Sequence, residues 1–171
     1  TNPIAVGDYV EASVENIQEK TLSISNIYER NNYLVRQSPH NKNQKHIVAS
    51  NLDQSILLAT ILKPRTSQGF IDRFIISNEM FHIPVVIVFN KMDLYQAQEM
   101  EHFHTYKQMY EKIGYTVLLV SLTENQNLEE LKSILKGKKN LLTGHSGVGK
   151  SSLLKLLHPQ REIKTASVSA W

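Results

Sequence analysis

The chain has 171 residues, 41% of them hydrophobic, with a formal net charge of +3 and a pI near 9.0. That length supports one well-buried core with a small satellite domain, and the mild basic excess permits a polyanionic partner such as nucleic acid without requiring one. Zero cysteines exclude disulfides and cysteine zinc ligands, and the longest apolar run, IPVVIVF at 83–89, is far below the roughly 18–20 residues that cross a bilayer, so a cytoplasmic protein with no membrane association is expected.

In chain order, VGDYVEASV (6–14), TLSISNIYE (21–29) and NYLVR (32–36) are rich in β-branched and aromatic residues between turn signals, and predict a small sheet or partial barrel. Residues 37–46, QSPHNKNQKH, are polar without apolar periodicity and read as a linker. Arg30, Arg36, Lys42 and Lys45 fall between 30 and 46 with no acid among them, a pattern open to RNA contact or to a solvated linker. We therefore expect a β-rich unit over 1–37, a linker over 38–46 and a larger domain over 47–171.

That larger domain alternates apolar strands with amphipathic helices, which predicts an α/β fold around a mostly parallel sheet. The strands are SILLATI (55–61), PVVIVF (84–89), TVLLVS (116–121) and NLLT (140–143). A helix over 69–81 carries Phe70, Phe74 and Ile75 on one side, and one over 97–113 spaces Met100, Phe103, Tyr106, Met109, Tyr110 and Ile113 as a core stripe. A third, over 127–136, buries Leu128, Leu131, Ile134 and Leu135, with Gly137 as its stop. His102 and His104 lie two apart on a helix, face different sides and read as surface residues, not a metal pair.

Gly144, His145, Ser146, Gly147, Val148, Gly149, Lys150 and Ser151 match the phosphate-loop pattern G-x-x-x-x-G-K-[ST], followed by Ser152 and the amphipathic run SSLLKLL. Backbone N–H groups around Gly147 and Gly149 must converge on a β-phosphate, which requires close approach that side chains would block. Lys150 would then reach the β- and γ-phosphates and stabilise the transferring charge, Ser151 would offer its hydroxyl to Mg²⁺, and the helix start would face the anion. The loop alone leaves adenine and guanine both open.

Asn90, Lys91, Met92 and Asp93 follow PVVIVF directly, at the carboxyl end of a buried strand, where open α/β sheets bind ligands. An Asp93 carboxylate there can accept both N–H groups of guanine's Watson–Crick edge, whereas adenine presents a lone pair to it. Asn90 is expected to reach the purine's other edge and tie loops together, while the Lys91 stem packs along the base. Ser121, Leu122 and Thr123, in VSLTE at 120–124, end the next strand where a backbone N–H could meet the base O6, although a plain strand-to-loop turn reads equally well. In ordinary guanine-nucleotide switches the phosphate loop precedes NKxD; here NKMD comes first, so the domain is circularly permuted.

This constellation resembles the ribosome small subunit-dependent GTPases, the YjeQ/RsgA family, in NPIAVGDYV and IYERNNYLVR, in ASNLDQSILLATI, in NKMD and VSLTE, and in GHSGVGKSS. Other permuted GTPases carry a proline-asparagine version of the loop. The resemblance implies an OB-fold before the GTPase domain, GTP and GDP as ligands with Mg²⁺, and a cytoplasmic monomer. It further implies binding to the small ribosomal subunit late in assembly, contact with ribosomal RNA through the OB-fold, and activation by the subunit. Three β segments are fewer than the five strands of an OB barrel. No aspartate follows Asp93, so the D-x-x-G segment is missing, and Thr165 resembles the lead-in to switch I, not its Mg²⁺-binding threonine. The family's cysteine/histidine Zn²⁺ domain is also missing. Together with a start at Thr1, these gaps imply a truncated chain or one with internal segments left out.

Two further readings remain at this stage. A GTP-gated RNA-binding checkpoint would hydrolyse negligibly, and an adenine-nucleotide enzyme would keep the phosphate loop but leave NKMD unexplained. No residue stands out as a general base.

Overall fold

The computed structural model describes residues 4–37 and 45–160. A 4-stranded sheet has the order β7-β6-β5-β8, built from β5 (Gln54–Ala59), β6 (Val85–Phe89), β7 (Thr116–Leu119) and β8 (Asn140–Thr143), all parallel. Helices α1 (Gln68–Glu79), α2 (Ala97–Lys112), α3 (Leu128–Leu135) and α4 (Lys150–Leu157) complete the domain.

Strand alternation sends successive side chains to opposite faces, and both faces are covered here, which explains the near-continuous apolar runs. On one face Leu57, Ala59, Ile87 and Phe89 pack with Ile71 and Phe74 of α1 and with Phe103 and Tyr110 of α2. On the other, Ile56, Leu58, Val86 and Val88 pack with Leu128 and Leu131 of α3 and Leu153 of α4. The Tyr110 hydroxyl donates to Asp72 Oδ1 at 2.8 Å, joining α2 to α1. Of the expected α2 stripe, Ile113 lies beyond the helix as its exposed cap.

The amino-terminal residues form two separate two-stranded antiparallel sheets: β1 (Val10–Asn16) with β2 (Thr21–Ile27), and β3 (Tyr33–Gln37) with β4 (Lys45–Ser50). Two details differ from the sequence reading. The first strand starts at Val10, not Val6, because a turn occupies 5–8, with Asp8 N–H donating to the Ala5 carbonyl at 3.2 Å and Ala5 N–H to Asp8 Oδ2 at 2.8 Å. Strand β4 was not foreseen: Lys45 and His46, read as linker, open it, and pairing with β3 supplies the stability that local composition does not advertise. The remainder of that polar segment, 38–44, with Lys42, lies outside the described residues, as does Thr165.

A third cluster joins the halves, with Ala49, Leu52 and Ile83 buried against Leu34, Phe81 and Leu141. Around it runs a polar junction. Arg30 grips the Asp8 carboxylate through Nε (2.6 Å) and a terminal nitrogen (2.7 Å), and Ser50 Oγ donates to the same carboxylate at 2.6 Å. Gly7 sits so close to this strand that a Cβ on it would lie 2.1 Å from the Ser50 carbonyl oxygen. Asn32 exchanges two 2.8 Å bonds with the Leu52 backbone, and the Asn51 side chain donates to the Gly7 carbonyl at 3.0 Å and accepts from Asn31 N–H at 2.9 Å. Among the described residues no helix is long and apolar enough to cross a membrane.

Candidate functional site

The carboxyl ends of the four parallel strands lie together, and NKMD, VSLTE and the phosphate loop sit there. Strand β6 delivers Asn90, strand β7 runs into Val120 and Ser121, and β8 runs into Gly144. The β7 ladder continues past Leu119 through Val120 N–H, which donates to the Phe89 carbonyl at 2.8 Å. Ser121 then leaves the sheet and pairs with Gln126 in a two-way bridge, its N–H donating at 3.2 Å and its carbonyl accepting at 2.9 Å. VSLTE is thus a closed turn.

Asn90 is buried and both ends of its amide are engaged. Nδ2 donates to the Val148 carbonyl in the phosphate loop at 2.8 Å, and Oδ1 accepts from Leu122 N–H at 3.1 Å. One side chain therefore pins three loops together. Gly149 must be glycine for this to happen: its φ is +108°, and a Cβ there would lie 2.4 Å from Asn90 Nδ2. Lys91 adopts a left-handed conformation (φ +69°) that turns the chain into a short 3-10 helix, Met92–Leu94, and its Nζ donates to the Lys63 carbonyl. Met92 N–H donates to the Val120 carbonyl at 3.1 Å, fixing that helix against β7. Asp93 is exposed on it, and Ser121 Oγ donates to Asp93 Oδ1.

Of the three backbone N–H groups offered by Ser121, Leu122 and Thr123, the first bonds Gln126 and the second bonds Asn90. Thr123 N–H carries no hydrogen bond among the described residues, which leaves it as the one of these three donors that a ligand oxygen could meet.

In the phosphate loop, Lys150 Nζ donates to the Gly144 and His145 carbonyls, both at 2.7 Å, and retains a third donor. Burial lowers its pKa from the ordinary lysine value. Val148 is buried as the loop's anchor, whereas Ser146, Gly147, Ser151 and Ser152 are open to solvent. Leu153 N–H makes the first backbone bond of α4, to the Gly149 carbonyl at 2.9 Å, so the N–H groups ahead of it point out of the helix start. The His145 ring packs on Phe70 of α1 with centroids 4.0 Å apart. Among the described residues no group of three His, Asp or Glu side chains could hold a metal ion; the Ser151 hydroxyl is a hard oxygen donor of the kind Mg²⁺ takes when phosphates and water complete its shell.

Sequence reasoning missed the loop after β5. Thr60 N–H donates to Thr66 Oγ1 (3.1 Å), Thr66 N–H donates to the Thr60 carbonyl (2.8 Å), and Thr60 Oγ1 donates to the Pro64 carbonyl. This closed loop borders the phosphate loop, for a Cβ on Gly147 would lie 3.6 Å from Pro64 Cδ. Nothing in KPRTSQG signals that placement; the pairing of β5 between β6 and β8 creates it.

Comparison with known proteins adds decisive information. The model of a family described as RsgA GTPase matches residues 27–171. The chain belongs to this family. It is 47% identical over 154 residues to the small ribosomal subunit biogenesis GTPase RsgA of Cytophaga hutchinsonii, covering 90% of this chain and 50% of that protein. To the Bacteroides fragilis protein of the same name it is 43% identical over 171 residues, covering 100% of this chain and 54% of the other. Among solved structures, YjeQ from Thermotoga maritima superposes with a TM-score of 0.78 at 34% identity, over 96% of this chain and 54% of that one. YloQ, described as a circularly permuted GTPase, superposes with a TM-score of 0.68 at 34% identity, over 91% and 50%. The fold is therefore that of the permuted GTPases, as the motif order implies. The chain spans about half the length of the curated relatives it matches.

Proposed function

We propose that these residues form the nucleotide-binding part of an RsgA-type enzyme that hydrolyses GTP to GDP and phosphate during maturation of the small ribosomal subunit. The observation that carries this reading is the Asn90 amide, which joins the base-reading turn, the VSLTE turn and the phosphate loop through two hydrogen bonds. Asp93, held by Ser121, reads guanine N1–H and the exocyclic amine, and Thr123 N–H meets O6. The Lys91 stem flanks the base. Residues 144–149 hold the phosphates with backbone N–H groups, Lys150 neutralises charge that develops on the transferring group, and Ser151 and Ser152 open α4 beneath them. Ser151 would help to hold Mg²⁺, which would supply further charge neutralisation for the phosphates.

The names of the relatives support the small ribosomal subunit as the partner, and we further propose contact with its RNA, a cytoplasmic location and a monomeric state. The test is GTP hydrolysis by the gene-length protein with and without purified small subunits, with ATP as control. Strong GTP-specific stimulation is expected. GTP-dependent subunit affinity without stimulated turnover would replace the enzyme with a binding checkpoint, and effective competition by ATP would overturn the guanine assignment.

A further inference from the structure

Asn90 can bridge three loops only if its own backbone is held still. Strand pairing fixes one side, since Asn90 N–H donates to the Ala59 carbonyl at 2.9 Å. The other side is fixed by a residue outside every motif. Tyr95, half-buried just after the Met92–Leu94 helix, turns its hydroxyl back and donates to the Asn90 carbonyl at 2.7 Å. The Tyr95 hydroxyl oxygen in turn accepts from Ile61 N–H at 2.9 Å. Burial pushes the phenol up to about 12, so it remains a donor throughout the neutral range. Ile61 begins the closed loop whose Pro64 borders Gly147 and whose Lys63 carbonyl receives Lys91.

We infer that the Tyr95 hydroxyl is a positioning group for nucleotide recognition, clamping the Asn90 backbone to the loop after β5 and so linking the base-reading turn to the wall of the phosphate loop. Removing it leaves Asn90 C=O and the buried Ile61 N–H without their partner. The inference rests on the guanine-nucleotide reading above. Tyr95 itself touches no ligand position; it acts through Asn90.

The test is a double-mutant cycle in the gene-length protein, with GDP affinity measured by calorimetry for wild type, Tyr95→Phe, Asn90→Ala and the double variant. Tyr95→Phe should weaken GDP about tenfold. The double variant should bind within about twofold of Asn90→Ala, because contacting residues in one network are non-additive. A purely structural role predicts independent losses that multiply, and that result, or unchanged affinity in Tyr95→Phe, overturns the inference. Should Tyr95→Phe not fold, amide exchange in wild type decides: Ile61 N–H should be protected as strongly as the β5 amides, and fast exchange overturns the clamp. A wild-type protein that binds ATP-type but not guanine nucleotides would bring down the reading itself, whereas normal GDP binding with additive losses removes only the role of Tyr95.

Discussion

The β1–β2 hairpin and the four-stranded sheet use the same kinds of residue and meet opposite fates. Val10, Ala12 and Val14 pair with Ile27, Ile24 and Leu22, an apolar series broken by one register shift after Glu11, yet Val14 and Leu22 are 63% and 62% exposed. Leu57 and Ile87, on neighbouring strands of the larger sheet, are 0% exposed. The difference lies in what covers them. Helices close both faces of the parallel sheet, while among the described residues no layer closes over the hairpin, and an isolated two-stranded ribbon is marginal in water. Alternation thus specifies a strand, but burial requires a second layer that only topology can supply. The base of the hairpin is instead fastened through directed contacts, Asp8 with Arg30 and Ser50, Gly7 with Asn51 and Tyr9 with Lys139.

The largest effect should come from the covered sheet. Leu57→Ala removes a side chain at its centre and should cost about 2–5 kcal/mol, read as a shift in urea midpoint at constant slope. A loss under 1 kcal/mol would mean that the site collapses around the cavity and that the two sheets differ less than their burial implies. The rim of the same sheet should behave otherwise. Asp93 is exposed, so Asp93→Asn should leave stability within about 0.5 kcal/mol while weakening GDP about a hundredfold and improving xanthosine diphosphate. Competition titration checks both, and unchanged GDP affinity would remove Asp93 from base recognition.

The polar junction should fall between core and hairpin. Arg30→Ala strands a carboxylate whose side chain is 1% exposed, though Ser50 and Ala5 still bond it, and should cost about 1–3 kcal/mol. Hydrogen bonds from Arg30, above all, hold the Asp8 carboxyl well below the usual carboxylate range. A carboxylate with a depressed folded-state pKa stabilises the fold above its unfolded value, near 3.9, and the contribution disappears as pH falls through the folded value. Wild type minus Arg30→Ala stability should therefore be flat from about pH 8 to pH 5 and shrink only in stronger acid. A difference that already declines between pH 7 and pH 5 would place a different titrating group at the junction.

What the sequence disclosed follows the same division. Strands β5 to β8 and the four helices were legible because each packs an apolar face, so periodicity and burial coincide; the phosphate-loop pattern stood out through glycines that its backbone geometry requires, and NKMD through its place directly after a buried strand. Strand β4 was hidden because His46 and Ile47 take their partners, Arg36 and Val35, from β3, and Val48 bulges out of that register. Tyr95 was hidden for a related reason: its hydroxyl reaches Asn90 only after Lys91 takes a left-handed turn and Met92–Leu94 coils, and spacing alone encodes neither event. The loop from Thr60 to Thr66 acquires meaning only when β5 lies between the other two motif-bearing strands.

The smallest effect tests the hairpin itself. Val14 lies opposite Leu22, and its exposure leaves little apolar area to lose, so Val14→Ala should change stability by less than about 0.5 kcal/mol in these 171 residues. The same substitution in the gene-length protein carries the sharper information. If its cost there rises to about 1–2 kcal/mol, as expected for a valine shortened within a packed layer, then residues beyond this chain cover the Val10–Val14 face and the contrast with the parallel sheet is one of completeness. If the cost stays small in both, the exposed face is intrinsic, and the bonds of Asp8 with Ser50, of Gly7 with Asn51 and of Tyr9 with Lys139 are what tie the base of the hairpin to the rest of the chain.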